Sequence, residues 1–255
     1  MDLIPLFKSH YSIGRSVLTF RSLDSSKENE PDSIVDIAHS AGMKRAFVVE
    51  DTMSGLLESY SNLKEAKIGL HFGIRITVCN DIKEKNAESV ENSCKFVIFA
   101  KDTQGYRKLI KLYSIAAKEG FYYEPRIDYE NIKSNWDNKH LSLCVPFYDS
   151  FLFKNLLTTS VCIPDTNSIP LTFFIEDNDL PFDHLVKTKV KQYAGDRHET
   201  VNTKSVYYKS KKDFKDYLTF KCIGKRTTLD KPNMDHMCSD EFCFESWKEQ
   251  DANSN

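Results

Sequence analysis

The sequence predicts an α/β fold built on strands paired in parallel, and three observations carry that expectation. Short apolar or β-branched runs recur along the chain with helical patterns between several of them, as strands covered on both faces by helices read. Residues 96–100 form an unbroken apolar run of strand length, followed by Tyr106, Leu109, Ile110, Tyr113 and Ala117 at helical spacing. The 255 residues, 40% of them hydrophobic, suffice to bury one large core, and a barrel of this length commonly forms a single domain.

The elements follow in order. Strands are predicted at residues 3–8, 45–50, 74–78, 96–100, 141–145, 172–176 and 205–208. Between the first two, Ile34, Ile37, Ala38 and Ala41 make one helical stripe, opened by Asp32 or Ser33 as N-cap after Pro31 and closed by Gly42. Residues 55–66 and 104–118 supply further helices. The polar stretches 23–33, 80–93 and 131–140 read as surface loops. One domain is expected over 1–247, with 248–255, poor in apolar residues, as a flexible tail.

A net charge of −2 gives no global reason for strong nucleic-acid binding, so any DNA contact must be local. Seven cysteines, at 79, 94, 144, 162, 222, 238 and 243, make no disulfide framework, and no basic, apolar leader opens the sequence. A reduced, cytoplasmic protein is expected, and no apolar run approaches the ~20 residues needed to cross a bilayer.

One stretch is far more specific than any short motif. KFVIFAKDTQGYRKLIKLYSIAAKEGFYYEPRID, at 95–128, resembles the PHP domain of the bacterial replicative DNA polymerase III alpha subunit, and TLDKPNMDHMCSDEFCFES, at 228–246, resembles a second segment of the same family in the right order. GMKRAFVVED at 42–51, GLLESY at 55–60 and SVYY at 205–208 fall where that family has related segments. The resemblance implies a distorted (β/α)7 barrel of the PHP type. It also implies a stand-alone, degenerate copy, for which a phage or plasmid source fits. The family's polymerase palm, fingers and thumb lie beyond its PHP domain, so the 255 residues are not expected to polymerise DNA alone.

Active members of that family place histidines and carboxylates at the barrel mouth to hold metal ions that activate water for phosphoester cleavage. Carried over residue by residue, the resemblance puts Leu6 and Lys8 at the first two histidines, and Glu50-Asp51, or Val49-Glu50 without a gap, at an Asp-His pair. It puts Arg75 at a glutamate, Lys95 at a histidine, Cys144 at a cysteine, Phe174 and Asn178 at a Glu and a His, and Ser205 and Tyr207 at the final Asp and His. Only Cys144 and the acidic pair remain as donors, while Lys8, Arg75 and Lys95 are expected to bring positive charge toward the cleft. At a separation of about 4 Å and an effective dielectric of roughly 20, one cation opposes a divalent ion by roughly 8 kcal/mol. No metal and no other cofactor is expected.

Other signals weigh less. His236, Cys238 and Cys243, with Cys222, could suggest zinc, but their spacing fits no paired C-x₂-C arrangement. His71, His184 and His198 are isolated, and the ordinary reading is a surface or core hydrogen-bonding group. Glu50-Asp51 at a strand end invites a site, but pairing with Lys8 or Arg75 is the favoured reading. Between Lys204 and Arg226 eight positive residues face two negative, +6 locally, with Tyr207, Tyr208, Phe214 and Tyr217 interleaved. Lys209, Lys211, Lys212 and Lys215 could therefore track phosphates, although Phe214, Tyr217 and Leu218 lie at the spacing of a helix facing a core. No GxxxxGK[ST], GxSxG or HExxH motif occurs.

The expectation is a hydrolytically inactive PHP-like module of DNA replication that binds a replisome protein, either the polymerase or the 3′–5′ exonuclease that the family's PHP domain docks. Two alternatives stand beside it. One is a metal-dependent phosphoesterase or 3′–5′ exonuclease with a site rebuilt around Glu50, Asp51, Cys144 and His10 or His71. The other is a DNA-binding accessory protein using the 204–226 face.

Overall fold

The computed structural model describes residues 3–25, 30–158, 161–166, 169–230 and 239–254. In chain order the elements are β1 (Ile4–Phe7), α1 (Ile34–Ser40), β2 (Arg45–Glu50), α2 (Leu56–Glu65), β3 (Gly69–Cys79) and α3 (Ala87–Glu91). They continue with β4 (Cys94–Ala100), α4 (Thr103–Lys118), β5 (Arg126–Asp128), α5 (Tyr129–Asn135), β6 (Leu141–Val145) and α6 (Phe151–Leu157). The last are β7 (Leu171–Ile175), α7 (Asp183–Ala194), β8 (Glu199–Val206), α8 (Phe214–Lys225) and α9 (Phe244–Ser254). Among the described residues no helix is long and apolar enough to cross a membrane.

The residues expected to make one domain divide into two compact units. The first comprises Met1–Phe72, Glu176–Asp183 and Asn202–Asn255, the second Gly73–Ile175 and His184–Val201.

In the first unit β1 pairs in parallel with β2, Leu6 opposite Phe47, and with β8, Phe7 opposite Val206. Phe7, Leu18, Phe20 and Ile34 are wholly buried in this unit, and Val35, Ala38, Ala46, Leu63 and Ile68 form one apolar cluster. Of the two candidate N-caps of α1, Ser33 takes the role: its hydroxyl accepts from the Val35 amide at 3.1 Å. Gly42 closes the helix at φ +65°, where a side chain would be strained.

The reading of residues 248–255 as a loose tail is corrected through Ser254, because they continue α9. That helix is tied down by the Trp247 indole, which stacks on Phe244 with centroids 5.0 Å apart and donates to the Leu3 carbonyl at 2.9 Å. Composition alone missed this because the anchoring aromatics precede the polar stretch.

In the second unit the parallel expectation is corrected: β3 and β4 are antiparallel, Gly73 opposite Phe99 and Val78 opposite Cys94, and β4 is antiparallel to β6. The link between β3 and β4 carries only the five-residue α3, so β4 starts beside the end of β3 and runs back along it. β5 then joins β3 in parallel, and β7 joins β6 in parallel.

β5, α3 and α5 lie outside the predicted elements. β5 has three residues, two of them charged, and the two helices fall in stretches read as loops. Each helix is nucleated by a cap: Asn86 accepts from the Ser89 amide at 2.7 Å, and Asp128 from the Asn131 amide at 2.8 Å.

Candidate functional site

The first unit holds seven of the residues that the resemblance singles out. Leu6 lies in the core, so its position offers no donor atom. Lys8 follows β1, is buried, and its ammonium donates to Asp51 Oδ1 at 2.7 Å. The Arg15 Nε lies 4.0 Å from the other Asp51 oxygen.

Glu50, at the end of β2, is fully buried, and both of its oxygens accept: Oε1 from the Ser9 amide at 2.7 Å, Oε2 from the Ser12 hydroxyl at 2.5 Å. Burial pushes its carboxyl above the usual range, against the pull of the Lys8 charge and the serine donors. Ser12 Oγ also accepts from the Asp51 amide at 2.9 Å, so one hydroxyl ties the acidic pair together.

Sequence reasoning missed Glu176. It stands one residue past β7, 4% exposed, and accepts from Asn178 Nδ2 at 2.9 Å, the Ser205 amide at 3.0 Å and the Ser205 hydroxyl at 2.8 Å. Asn178 and Ser205 are thus brought together, but as donors around a carboxylate rather than as ligands. Burial raises the Glu176 carboxyl, opposed by those donors. Tyr207 stacks on Tyr217 and Phe242, with centroids 5.8 and 5.5 Å away. The available signal for Glu176 was a charged residue closing an apolar strand run.

The remaining four lie in the second unit. Arg75 on β3 forms an ion pair with Asp149. Lys95 on β4 donates to Glu124 Oε2 at 2.6 Å and to the Thr77 hydroxyl. Burial would raise the Glu124 carboxyl, but the Lys95 charge and hydrogen bond hold it below its ordinary value. Cys144 is buried on β6, and that burial pushes its thiol up to about 12, far from the thiolate a metal would need. Phe174 is buried on β7 and meets the Phe99 ring edge to face.

These residues do not fit the divalent ions of active PHP sites. The positions that would supply imidazoles hold alkyl, ammonium, carboxylate, amide or phenol groups, and the acidic pair is engaged by an ammonium and serine donors. Among the described residues no three His, Cys, Asp or Glu side chains group to hold a metal.

The alternative histidines are occupied by local packing. His10 lies tilted against the Tyr11 ring with its Nδ1 3.3 Å from the Leu18 carbonyl, and His71 stacks on Phe47. Of the zinc candidates, Cys222 and Cys243 are buried, and the Cys243 sulfur lies 3.2 Å from the Ser246 hydroxyl. His236 and Cys238 lie outside the described residues.

On the basic face, Lys209 pairs with Asp32 at 2.7 Å, and Lys211 with Glu241 at 2.9 Å and Glu249 at 3.2 Å. Lys212 and Lys215 are exposed. The interleaved aromatics pack on one another: Tyr208 is fully buried and lies 5.0 Å from Tyr217 and 6.2 Å from Phe214, centroid to centroid. Tyr217 is buried as well, while Tyr207 and Phe214 are half-buried.

The two motif segments act inside the fold. Gly120 lies where an added Cβ would strike the Arg126 carbonyl, and the buried Arg126 guanidinium donates to the Gly120 and Glu84 carbonyls at 3.3 and 2.9 Å and to the Ser89 hydroxyl at 3.0 Å. In the SDEF segment, Glu241 reaches the buried Lys204, 3.4 Å away, which also donates to the Asp177 carbonyl at 2.9 Å. The flanking backbone bonds Tyr207 N to Phe242 O and Phe244 N to Tyr208 O, each at 3.0 Å.

Comparison with known proteins places these features. Residues 17–163 match the profile of the PHP domain. A Thermus aquaticus DNA polymerase III subunit alpha is 30% identical over 162 residues, 61% of this chain and 13% of the relative. The subunit alpha of Helicobacter pylori (strain ATCC 700392 / 26695) is 35% identical over 97 residues, 37% of this chain and 8% of the relative. That of Aquifex aeolicus is 59% identical over 34 residues, 13% of this chain and 3% of the relative. The chain therefore spans a small fraction of the length of these curated relatives.

Proposed function

Because the chain belongs to the PHP-domain family, with the α/β, (β/α)7 barrel fold class of that family, we propose that it is a hydrolytically inactive PHP module of DNA replication that binds a protein of the synthesis machinery. The observation that carries the inactive reading is the Lys8–Asp51 ion pair: a buried ammonium takes the carboxylate that a metal would need. Arg75 on Asp149 and Lys95 on Glu124 support it, since a divalent ion near either cation would have to overcome like-charge repulsion.

The binding role rests on kinship with DNA polymerase III subunit alpha and on retention of the segments that build the fold while the ligand positions changed. A scaffold needs the first and not the second. The partner is the polymerase or its 3′–5′ exonuclease, in the cytoplasm.

Two measurements test this. Elemental analysis of the purified protein, with phosphoesterase and exonuclease assays in Mn²⁺ and Zn²⁺, is expected to give neither stoichiometric metal nor activity; bound metal with activity lost in Asp51→Ala defeats the inactive reading. A pull-down against the polymerase alpha subunit and the exonuclease is expected to retain one of them. Failure to bind any replisome subunit at micromolar concentration defeats the binding role.

A further inference from the structure

Helix α4, in the second unit, carries a surface that the proposed function leaves unused. Gly105, Leu109, Leu112 and Ala116 are its buried residues. At about 100° per residue, Arg107, Lys111 and Lys118 fall on the opposite side of the helix, within roughly 40° of one another. All three are exposed. With a rise of about 1.5 Å per residue, the stripe they form runs for roughly 16 Å.

The stripe has no counterions. Residues 103–118 contain no aspartate or glutamate, and among the described residues none of the three cations forms an ion pair. Lys108, which points off the stripe, does pair, with Asp137 at 3.7 Å. Arg107 and Lys111 stand four residues apart on the helix, where like charges repel and a carboxylate would stabilise. The basic stretch at 204–226 differs, because its Lys209 and Lys211 are engaged by carboxylates.

Past the end of the helix the chain presents aromatic rings. Phe121 is 51% exposed and Tyr123 82%. Tyr123 sits at φ 61°, a left-handed conformation that disfavours a residue with a Cβ, and its ring nevertheless lies in solvent. The turn around it is built: the Arg126 guanidinium lies 5.1 Å from the centroid of the Tyr122 ring, that ring is 4.5 Å from the Tyr123 ring, and the Tyr122 amide donates to the Glu124 carbonyl at 3.1 Å. Backbone strain of this kind gathers at sites that hold ligands. Five residues of chain reach at most about 17 Å, so the rings lie near the Lys118 end of the stripe.

We propose that α4 and the 121–123 turn form a track for single-stranded nucleic acid, with Arg107, Lys111 and Lys118 on its phosphates and Phe121 and Tyr123 stacking on its bases. Unpaired cations in a row complement a polyanion, and exposed rings beside them complement a base; an acidic peptide would use the first feature and not the second. The overall charge of −2 does not oppose this, since the contact is local.

Fluorescence anisotropy of a labelled oligo(dT) with the full 255-residue chain tests the proposal. Binding is expected, with log K falling against log salt at a slope of about −2, three phosphate contacts at about 0.7 each. Combining Arg107→Ala, Lys111→Ala and Lys118→Ala is expected to bring that slope toward zero and to weaken binding at least about tenfold. Tyr123→Gly, which suits the positive φ, is expected to weaken binding about tenfold while the melting temperature holds or rises, whereas a ring kept for packing would lower it. Lys212→Ala with Lys215→Ala is expected to leave the affinity unchanged. If the triple variant does not fold, the parent's salt slope and Tyr123→Gly decide. No binding at low salt, a loss confined to the Lys212 and Lys215 variant, or polyglutamate competing as well as oligo(dT) with Tyr123→Gly binding like the parent overturns the proposal.

Discussion

The Lys8 ammonium lies 2.7 Å from Asp51 Oδ1, with the lysine side chain 5% exposed and the aspartate 31%. A residue carried to the place of a metal-binding imidazole has become the counterion of the carboxylate beside it. The cluster thus carries its own positive charge, which also acts on Glu50 alongside the Ser9 and Ser12 donors.

Removing that counterion is expected to destabilise the protein. Lys8→Met leaves Asp51 without the ammonium beside the buried Glu50, at a cost of about 1–3 kcal/mol, less than a fully buried pair because Asp51 reaches solvent. Urea unfolding checks this, and an unchanged midpoint would mean that the pair contributes no net stability.

Gly120→Ala is expected to cost about 3 kcal/mol or more, because the new Cβ would meet the Arg126 carbonyl, a backbone atom with no easy retreat. Thermal unfolding reads the loss. A variant as stable as the parent would show that the backbone at Arg126 can yield.

Glu241→Gln removes the carboxylate shared by Lys204 and Lys211 and leaves a buried ammonium short of its partner. The expected cost is about 1–3 kcal/mol, with faster tryptic cleavage of the C-terminal segment. Cleavage at the parental rate would show that the backbone bonds around Phe242 and Phe244 hold the segment by themselves.

Glu176 supplies a pH dependence. Its folded pKa is raised above the ordinary value of 4.5, so the folded state holds the proton more tightly than the unfolded chain, and stability falls as pH rises from 4.5 through the folded pKa. Glu176→Gln keeps the neutral form at every pH. The stability of the parent relative to this variant should therefore decline as pH rises above about 4.5 in paired urea melts. A constant difference would remove Glu176 as the titrating group.

Local pattern carried much of this fold and little of its pairing. Residues 45–50 and 141–145 match β2 and β6 to the residue because apolar runs bounded by polar segments mark buried strands. Direction does not show in such a run, so nothing within residues 96–100 distinguishes the antiparallel β4 from a parallel strand. Arg75 and Lys95 were legible as cations, but their partners Asp149 and Glu124 lie 74 and 29 residues away, where no spacing rule reaches. Glu176 escaped because the resemblance placed the carboxylate position at Phe174, two residues earlier on the same strand end.

The Arg126 guanidinium, enclosed by two carbonyls, a hydroxyl and the Tyr122 ring, explains why so recognisable a segment says so little about chemistry. Within it Arg126, Ile127 and Asp128 are buried, so these residues answer to packing and report architecture rather than chemistry. Genome surveys that gather chains by this signature collect a lineage of architecture, and each member's trade must be read from the strand ends instead.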